Sequence, residues 1–208
     1  MSSLTLSRSA GMLYSGNHRF DAWSRTWVEA GSLPSDGQSV TPREAIRWLS
    51  VEGGARSLPV AVVGPRNANA LQVETAEAIG RSVAELGLPL LTGGRKGVME
   101  AASRGAFKAG GLTIGFIPDE DWRTANPYVR LPLATGLGPA RNVLIARSAE
   151  ALIAVGGEYG TLSEMAFGMH FGKPVFSLCN APSVAGVTVC TDVEECVTLL
   201  AESLLRSH

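Results

Sequence analysis

The chain has 208 residues, 18 basic and 19 acidic side chains, a formal charge of −1 and a hydrophobic fraction of 45%. That length fits one domain with an appendage, enough to bury a core without disulfide staples and too apolar for wholesale disorder. The near-zero charge removes the sequence-independent attraction to nucleic acid or to an anionic membrane, so neither is expected as a partner.

No apolar run approaches the roughly 20 residues that a bilayer span needs. Met1–Arg8 shows no basic region followed by an apolar one, so no secretory signal is read. Cys179, Cys190 and Cys196 are odd in number and contain no CxxC pair. They read as small apolar residues in a reducing cytoplasm, which is the expected location. His18, His170 and His208 are too few and scattered for a metal site, so neither metal nor cofactor is expected.

Residues 1–57 read as a cap or extension, with Trp23, Trp27 and Trp48 among them. Gly31–Ser39 is predicted as a loop. Thr41-Pro42-Arg43-Glu44 predicts a helix start: Thr41 caps, Pro42 suits the first position and Glu44 closes a capping box. Ala45, Ile46, Trp48 and Leu49 give that helix an apolar side, and Gly53-Gly54 ends it. The segment fits a cap over the main domain, a subunit interface, or a lid over a site.

From Leu58 the rhythm becomes strand, turn, helix. Strands are predicted at Leu58–Gly64, Leu88–Gly94, Leu112–Ile117, Ala151–Val155, Pro174–Leu178 and Val187–Cys190. Helices are predicted at Leu71–Leu86, Gly97–Ala109, Ala140–Glu150, Thr161–Phe171 and Asp192–Leu205, with a long irregular stretch over Pro118–Gly138. Strands apolar on both faces and alternating with helices predict an α/β fold, a doubly wound parallel sheet of Rossmann-like type over 58–208. Such sheets bind ligands beyond the carboxyl ends of their strands, where strand order reverses.

Gly64, Gly93-Gly94 and Gly156-Gly157 each end a predicted strand, so they should share that edge. Glycine lets the backbone approach a ligand, and the following helix offers free N–H groups and a dipole to an anion. Three such turns point to a small phosphorylated ligand. Gly93-Gly94-Arg95-Lys96-Gly97 is neither a dinucleotide fingerprint nor a P-loop. Gly156-Gly157-Glu158-Tyr159-Gly160-Thr161-Leu162-Ser163-Glu164 adds a hydroxyl and a carboxylate three residues apart on one helical face. Thr161 and Glu164 equally fit a capping box. Arg141, a cation against the dipole at a helix start, points to a nearby anion or to a surface salt bridge. Lys96, Lys108 and Lys173 sit in no context suited to pyridoxal phosphate.

The segment 156–164 resembles the P-G-G-x-G-T-x-x-E signature of the LOG ("lonely guy") family, long labelled lysine decarboxylases. Gly93-Gly94-Arg95-Lys96-Gly97-Val98-Met99 resembles that family's earlier G-G-G-x-x-G-x-M turn, and Arg141 stands 23 residues before Glu164, the family's spacing for an Arg and Glu pair. Val155 replaces the signature's Pro, Arg95 the third Gly, and Asn142 the Lys that follows the Arg. Gly136–Asn142 is more similar to a divergent bacterial branch, DprA-related family 1, and to molybdenum cofactor carrier proteins.

The resemblance implies a hydrolase that splits a nucleoside 5′-monophosphate into free base and ribose 5-phosphate. Glu164 would stabilise positive charge on the ribose or orient water, and Arg141 would hold phosphate, the leaving base or Glu164 itself. Gly64, Gly93, Gly94, Gly97, Met99, Asn142, Gly156, Gly157, Gly160 and Thr161 would line the ligand site. Glu158 and Glu74 are the weak candidates for a second acid. The alternative is a non-catalytic carrier or sensor of a phosphorylated pterin or nucleotide; a weaker reading is an interaction module working through the Trp-rich N-terminal part. Relatives imply a homodimer or higher homo-oligomer.

Overall fold

The computed structural model describes residues 3–31 and 34–206. Ser32 and Leu33 of the predicted loop, and His208, lie outside the described residues. The N-terminal part is a sheet rather than a featureless cap. Its strands are β1 (Leu4–Ser7), β2 (Met12–Ser15), β3 (His18–Asp21), β4 (Thr26–Glu29) and β5 (Gln38–Val40), in the order β4-β3-β2-β1-β5 with every pair antiparallel. Leu4 and Leu6 alternate inward on β1, with Leu13 opposite Leu6. That period of two buries one face of the sheet. The predicted loop therefore gives way to a strand at Gln38.

Helix α1 (Pro42–Val51) starts as predicted. Both halves of its capping box form between Thr41 and Glu44, and Ala45, Ile46, Trp48 and Leu49 are buried. The alternation then follows: β6 (Val60–Val63), α2 (Ala70–Glu85), β7 (Leu90–Thr92), α3 (Val98–Lys108), β8 (Thr113–Ile117), β9 (Leu131–Ala134), α4 (Asn142–Ser148), β10 (Ala151–Val155), α5 (Tyr159–His170), β11 (Val175–Leu178), β12 (Thr188–Val189) and α6 (Val193–Leu204). The larger sheet is parallel throughout and runs β12-β11-β10-β6-β7-β8-β9. Strands β6, β7, β10 and β11 are buried along their whole length, as helices on both faces require.

Strand β9 corrects the expectation of an irregular stretch over 118–138. It is an outermost strand, largely exposed, and it contains Pro132, which edge strands tolerate. The chain builds outward from β6 to β9, then returns to place β10 beside β6. Strand order reverses there, and the carboxyl ends of β6 and β10 frame the crevice.

The N-terminal sheet and α1 share one apolar core with α2, α6 and the inner strands: Leu6, Leu13, Ile46 and Leu49 belong with Ile79, Val83, Leu200 and Leu204. Polar ties reinforce it. Trp27 Nε1 donates to the Leu205 carbonyl at 2.6 Å, Arg47 Nη1 to the Glu85 carbonyl at 2.9 Å, and Arg43 pairs with Glu194. Among the described residues, no helix is long and apolar enough to cross a membrane.

Candidate functional site

The glycine turns meet as the topology requires, because β10, β6 and β7 are neighbours. A crevice of about 520 Å³ opens over their carboxyl ends. Its walls include eight of the predicted residues: Gly64, Gly93, Met99, Arg141, Asn142, Gly160, Thr161 and Glu164. Gly94, Gly97, Gly156 and Gly157 are absent from those walls and shape the turns behind them, all with positive φ. Among the described residues, none of the N-terminal part lines the crevice; its apolar side chains join the core instead.

Helix α5 begins two residues earlier than predicted, with Glu158 at its N-cap and no side-chain cap hydrogen bond. Thr161 is therefore inside the first turn and buried, and the capping-box alternative for Thr161 and Glu164 does not hold. Helices α1, α2 and α6 have side-chain caps, from Thr41, Asn69 and Asp192. Helices α3 and α5, which start beside the crevice, have none. At α3 the Val98 N–H is taken by the Pro65 carbonyl at 3.1 Å, whereas the first-turn N–H groups of α5 remain open to a ligand or water.

Glu164 is the buried carboxylate of the site. Its Oε1 accepts from Arg141 Nη1 at 3.0 Å, and the two side chains are only 8% and 7% exposed. This excludes the surface salt bridge for Arg141. Burial pushes the Glu164 carboxyl up to about 7 against the pull of Arg141, and burial likewise lowers the Arg141 guanidinium despite Glu164. Arg141 Nη1 also donates to Asn142 Oδ1 at 3.0 Å. Asn142 Nδ2 in turn reaches Ser163 Oγ at 2.9 Å and fastens α4 to the first turns of α5. The pair is held by one nitrogen rather than by a two-nitrogen fork. Arg141 Nη2 donates to no atom among the described residues, and its fully buried Nε is orphaned.

The guanidinium packs against Gly93, where a Cβ would collide with it and with Met99 Sδ. Glycine at this position is thus needed to admit the arginine. Arg95, in place of the third glycine of the turn, lines the crevice and pairs with Asp119 at 2.5 Å, while Lys96 is exposed outside it. Of the two weak acid candidates, Glu158 reaches the rim and Glu74 lies away from the crevice.

Among the wall residues that escaped sequence reasoning are Arg66, Asn67, Pro118 and Asp119. The signal for Arg66 was present, because Gly64-Pro65-Arg66 repeats the pattern of a glycine strand end followed by an arginine. Asp119 sat in a stretch that offered no periodicity. Among the described residues no group of His, Cys, Asp and Glu could hold a metal ion.

Several known proteins resemble this chain. A molybdenum cofactor binding protein of Rippkaea orientalis is 36% identical over 71% of this chain and 97% of its own, with a TM-score of 0.67. The molybdenum cofactor carrier protein of Chlamydomonas reinhardtii is 35% identical over 73% of this chain and all of its own, also at 0.67. An uncharacterised protein of Archaeoglobus fulgidus is 36% identical over 149 residues, 98% of its length. The DNA processing protein A of Streptococcus pneumoniae, at 22% identity and a TM-score of 0.56, shares the fold. A family model described as SLOG cluster4 matches residues 57–201, the parallel-sheet part with its glycine turns and its Arg141–Glu164 pair, and the chain belongs to that family.

Proposed function

We propose that the chain is a carrier that holds a small phosphorylated ligand, of phosphorylated pterin type, unchanged in the crevice. The observation that carries this reading is the convergence of Arg66, Arg95 and Arg141 with the glycine turns and the uncapped start of α5 on one crevice. Such a set favours an anion through charge, forked donors and open amides together. The relatives named for binding or carrying molybdenum cofactor, a phosphorylated pterin, support this cargo class.

A second reading is the phosphoribohydrolase, and one observation favours it. Glu164 lines the crevice beside Arg141, with its carboxyl at about 7, as a base for water activation would require. Attack by water would break the N-glycosidic bond, and the departing base would take a proton. The crevice supplies no evident donor for that proton. Asp119 is bound to Arg95 and Thr124, and Glu158 is exposed at the rim.

The test is to purify the protein from cells that make the pterin cofactor and assay it for bound pterin fluorescence and molybdenum. Cargo present in wild type and absent from Arg141→Ala is the expected result. Release of free base and ribose 5-phosphate from any nucleoside 5′-monophosphate, abolished by Glu164→Ala, would establish the hydrolase instead.

A further inference from the structure

The carboxyl edge of the parallel sheet carries a second cavity, of about 660 Å³, beyond β11 and β12. That size falls within the range of small-molecule sites, roughly 300–1,000 Å³. The cavity shares no wall residue with the crevice. The segment leading into α2 lines the crevice through Arg66 and Asn67, whereas the first turns of α2 line the second cavity through Leu71 and Thr75.

The two differ in charge. Among the described residues, the walls of the second cavity hold no lysine, arginine or histidine and a single carboxylate, that of Asp192. Asp192 caps α6, its Oδ1 accepting from Glu195 N at 2.9 Å. An anion finds no counter-charge here, and a cation finds only a carboxylate already committed to a helix start.

Two buried hydroxyls on these walls have hydrogen-bonding capacity to spare. Thr75 is 9% exposed; its Oγ1 accepts from Cys179 Sγ at 3.4 Å and gives its own proton to no atom among the described residues. Ser177 is 4% exposed, and its hydroxyl has no partner among the described residues. Buried polar groups ordinarily find partners, so a ligand or a water must serve these two. Around them stand the branched side chains Leu71, Val184, Val187, Val189 and Val193. The wall at the end of β11 is a formed turn and not a loose loop. Ala181 N donates to the Leu178 carbonyl at 3.3 Å, and Cys179 and Asn180 between them both have φ 53°. Such turns ordinarily use glycine, asparagine or aspartate, and here the Cys179 thiol is fastened to Thr75.

We propose that this cavity is a second ligand site, for an uncharged flat nitrogen heterocycle. Its ring faces pack on the branched apolar side chains, and its ring nitrogens accept from the Thr75 and Ser177 hydroxyls. A sugar would set many hydroxyls against apolar walls, and an aliphatic ligand would leave both buried hydroxyls unused. The site stands independently of what the crevice holds.

The test titrates the whole protein, labelled with nitrogen-15, and follows its amide signals. Adenine and pterin carry ring-nitrogen acceptors and separate a purine from a pteridine preference. Indole is a flat bicycle whose nitrogen only donates. Both heterocycles, or the preferred one, should move the signals of Ser177, Cys179, Asn180 and Thr191 and leave those of Gly93 and Gly160 in place. Indole should bind more weakly, and inorganic phosphate should leave the signals of the second cavity where they are. Thr75→Val and Ser177→Ala should each weaken binding of the preferred heterocycle about three- to tenfold, the loss of one neutral hydrogen bond.

No shift with either heterocycle, shifts confined to the crevice signals, or indole binding as tightly as both heterocycles overturns the proposal. So does binding that neither substitution weakens. The comparison with indole is made on wild type, so it decides the matter even where a variant does not fold.

Discussion

Glu164 carries its carboxyl in a place that resists ionisation, and the Arg141 bond holds it there. The folded protein keeps this proton up to about pH 7, whereas an unfolded glutamate releases it near 4.5. Its contribution to stability is therefore complete below 4.5 and is lost as pH rises through 7. The same titration acts on an anionic ligand. Ionised Glu164 repels it, so affinity relative to Glu164→Gln should fall as pH rises through about 7. Calorimetry of both proteins at each pH checks this, because the ligand's own titration cancels in the ratio. Arg141→Ala removes the pull that lowers the Glu164 carboxyl, so Glu164 should keep its proton to higher pH, and the lost hydrogen bond should cost about 1–3 kcal/mol of stability in denaturant melts at neutral pH. The pair was legible in the sequence through the family resemblance, which carries the spacing of 23 residues, and through the place of each residue after glycine turns. That Arg141 is buried against Gly93 was not, because a contact between two separate turns leaves no periodic trace in either segment.

The elements behind the crevice are set by how closely two helices pack. Gly80 of α2 faces the Ala102 backbone of α3, and Gly105 of α3 faces the Glu77 carbonyl of α2, with no room for a Cβ at either position. Gly80→Ala should cost about 1–3 kcal/mol in chemical denaturation, since the helices must separate to admit one methyl. Glu77 locks the same pair, accepting from Arg104 Nε and Nη2 at 3.0 and 2.8 Å and from Lys108 Nζ at 3.1 Å. Arg104 holds its carboxyl down at about 2, so the stability it confers is present above pH 4.5 and lost as pH falls through 2. Glu77→Gln should flatten that acid limb of the melting profile. The helices and inner strands were legible because burial on both faces leaves apolar runs between glycine stops. Strand β9 was not, because an exposed edge strand containing Pro132 lacks both alternation and length. The N-terminal strands escaped for a similar reason: they are only three or four residues long. Even so, Ser15-Gly16-Asn17-His18 carried a hairpin signal, with Gly16 at φ 54°.

At the scale of the molecule, the described residues before 57 complete a core that the family model alone does not span, since that match begins at residue 57. The matched cofactor carriers are covered over 97–100% of their own length by some 71–73% of this chain, so the N-terminal sheet is an addition to their shared body. It meets that body on the α2 and α6 side, away from the crevice, and its bond from Trp27 to Leu205 is the longest-range side-chain tie described. Trp27→Phe should remove that bond and lower the melting temperature by about 2–4 °C, the shift expected for about 1 kcal/mol, without changing ligand affinity. The central claim is that the crevice holds a phosphorylated ligand and returns it intact. The most direct measurement incubates the whole protein with phosphorylated pterin and nucleoside 5′-monophosphates, follows its melting temperature, and then recovers each ligand for mass spectrometry. The account predicts a rise in melting temperature with the bound ligand recovered unchanged. No rise with any ligand, or free base appearing beside ribose 5-phosphate, would contradict it.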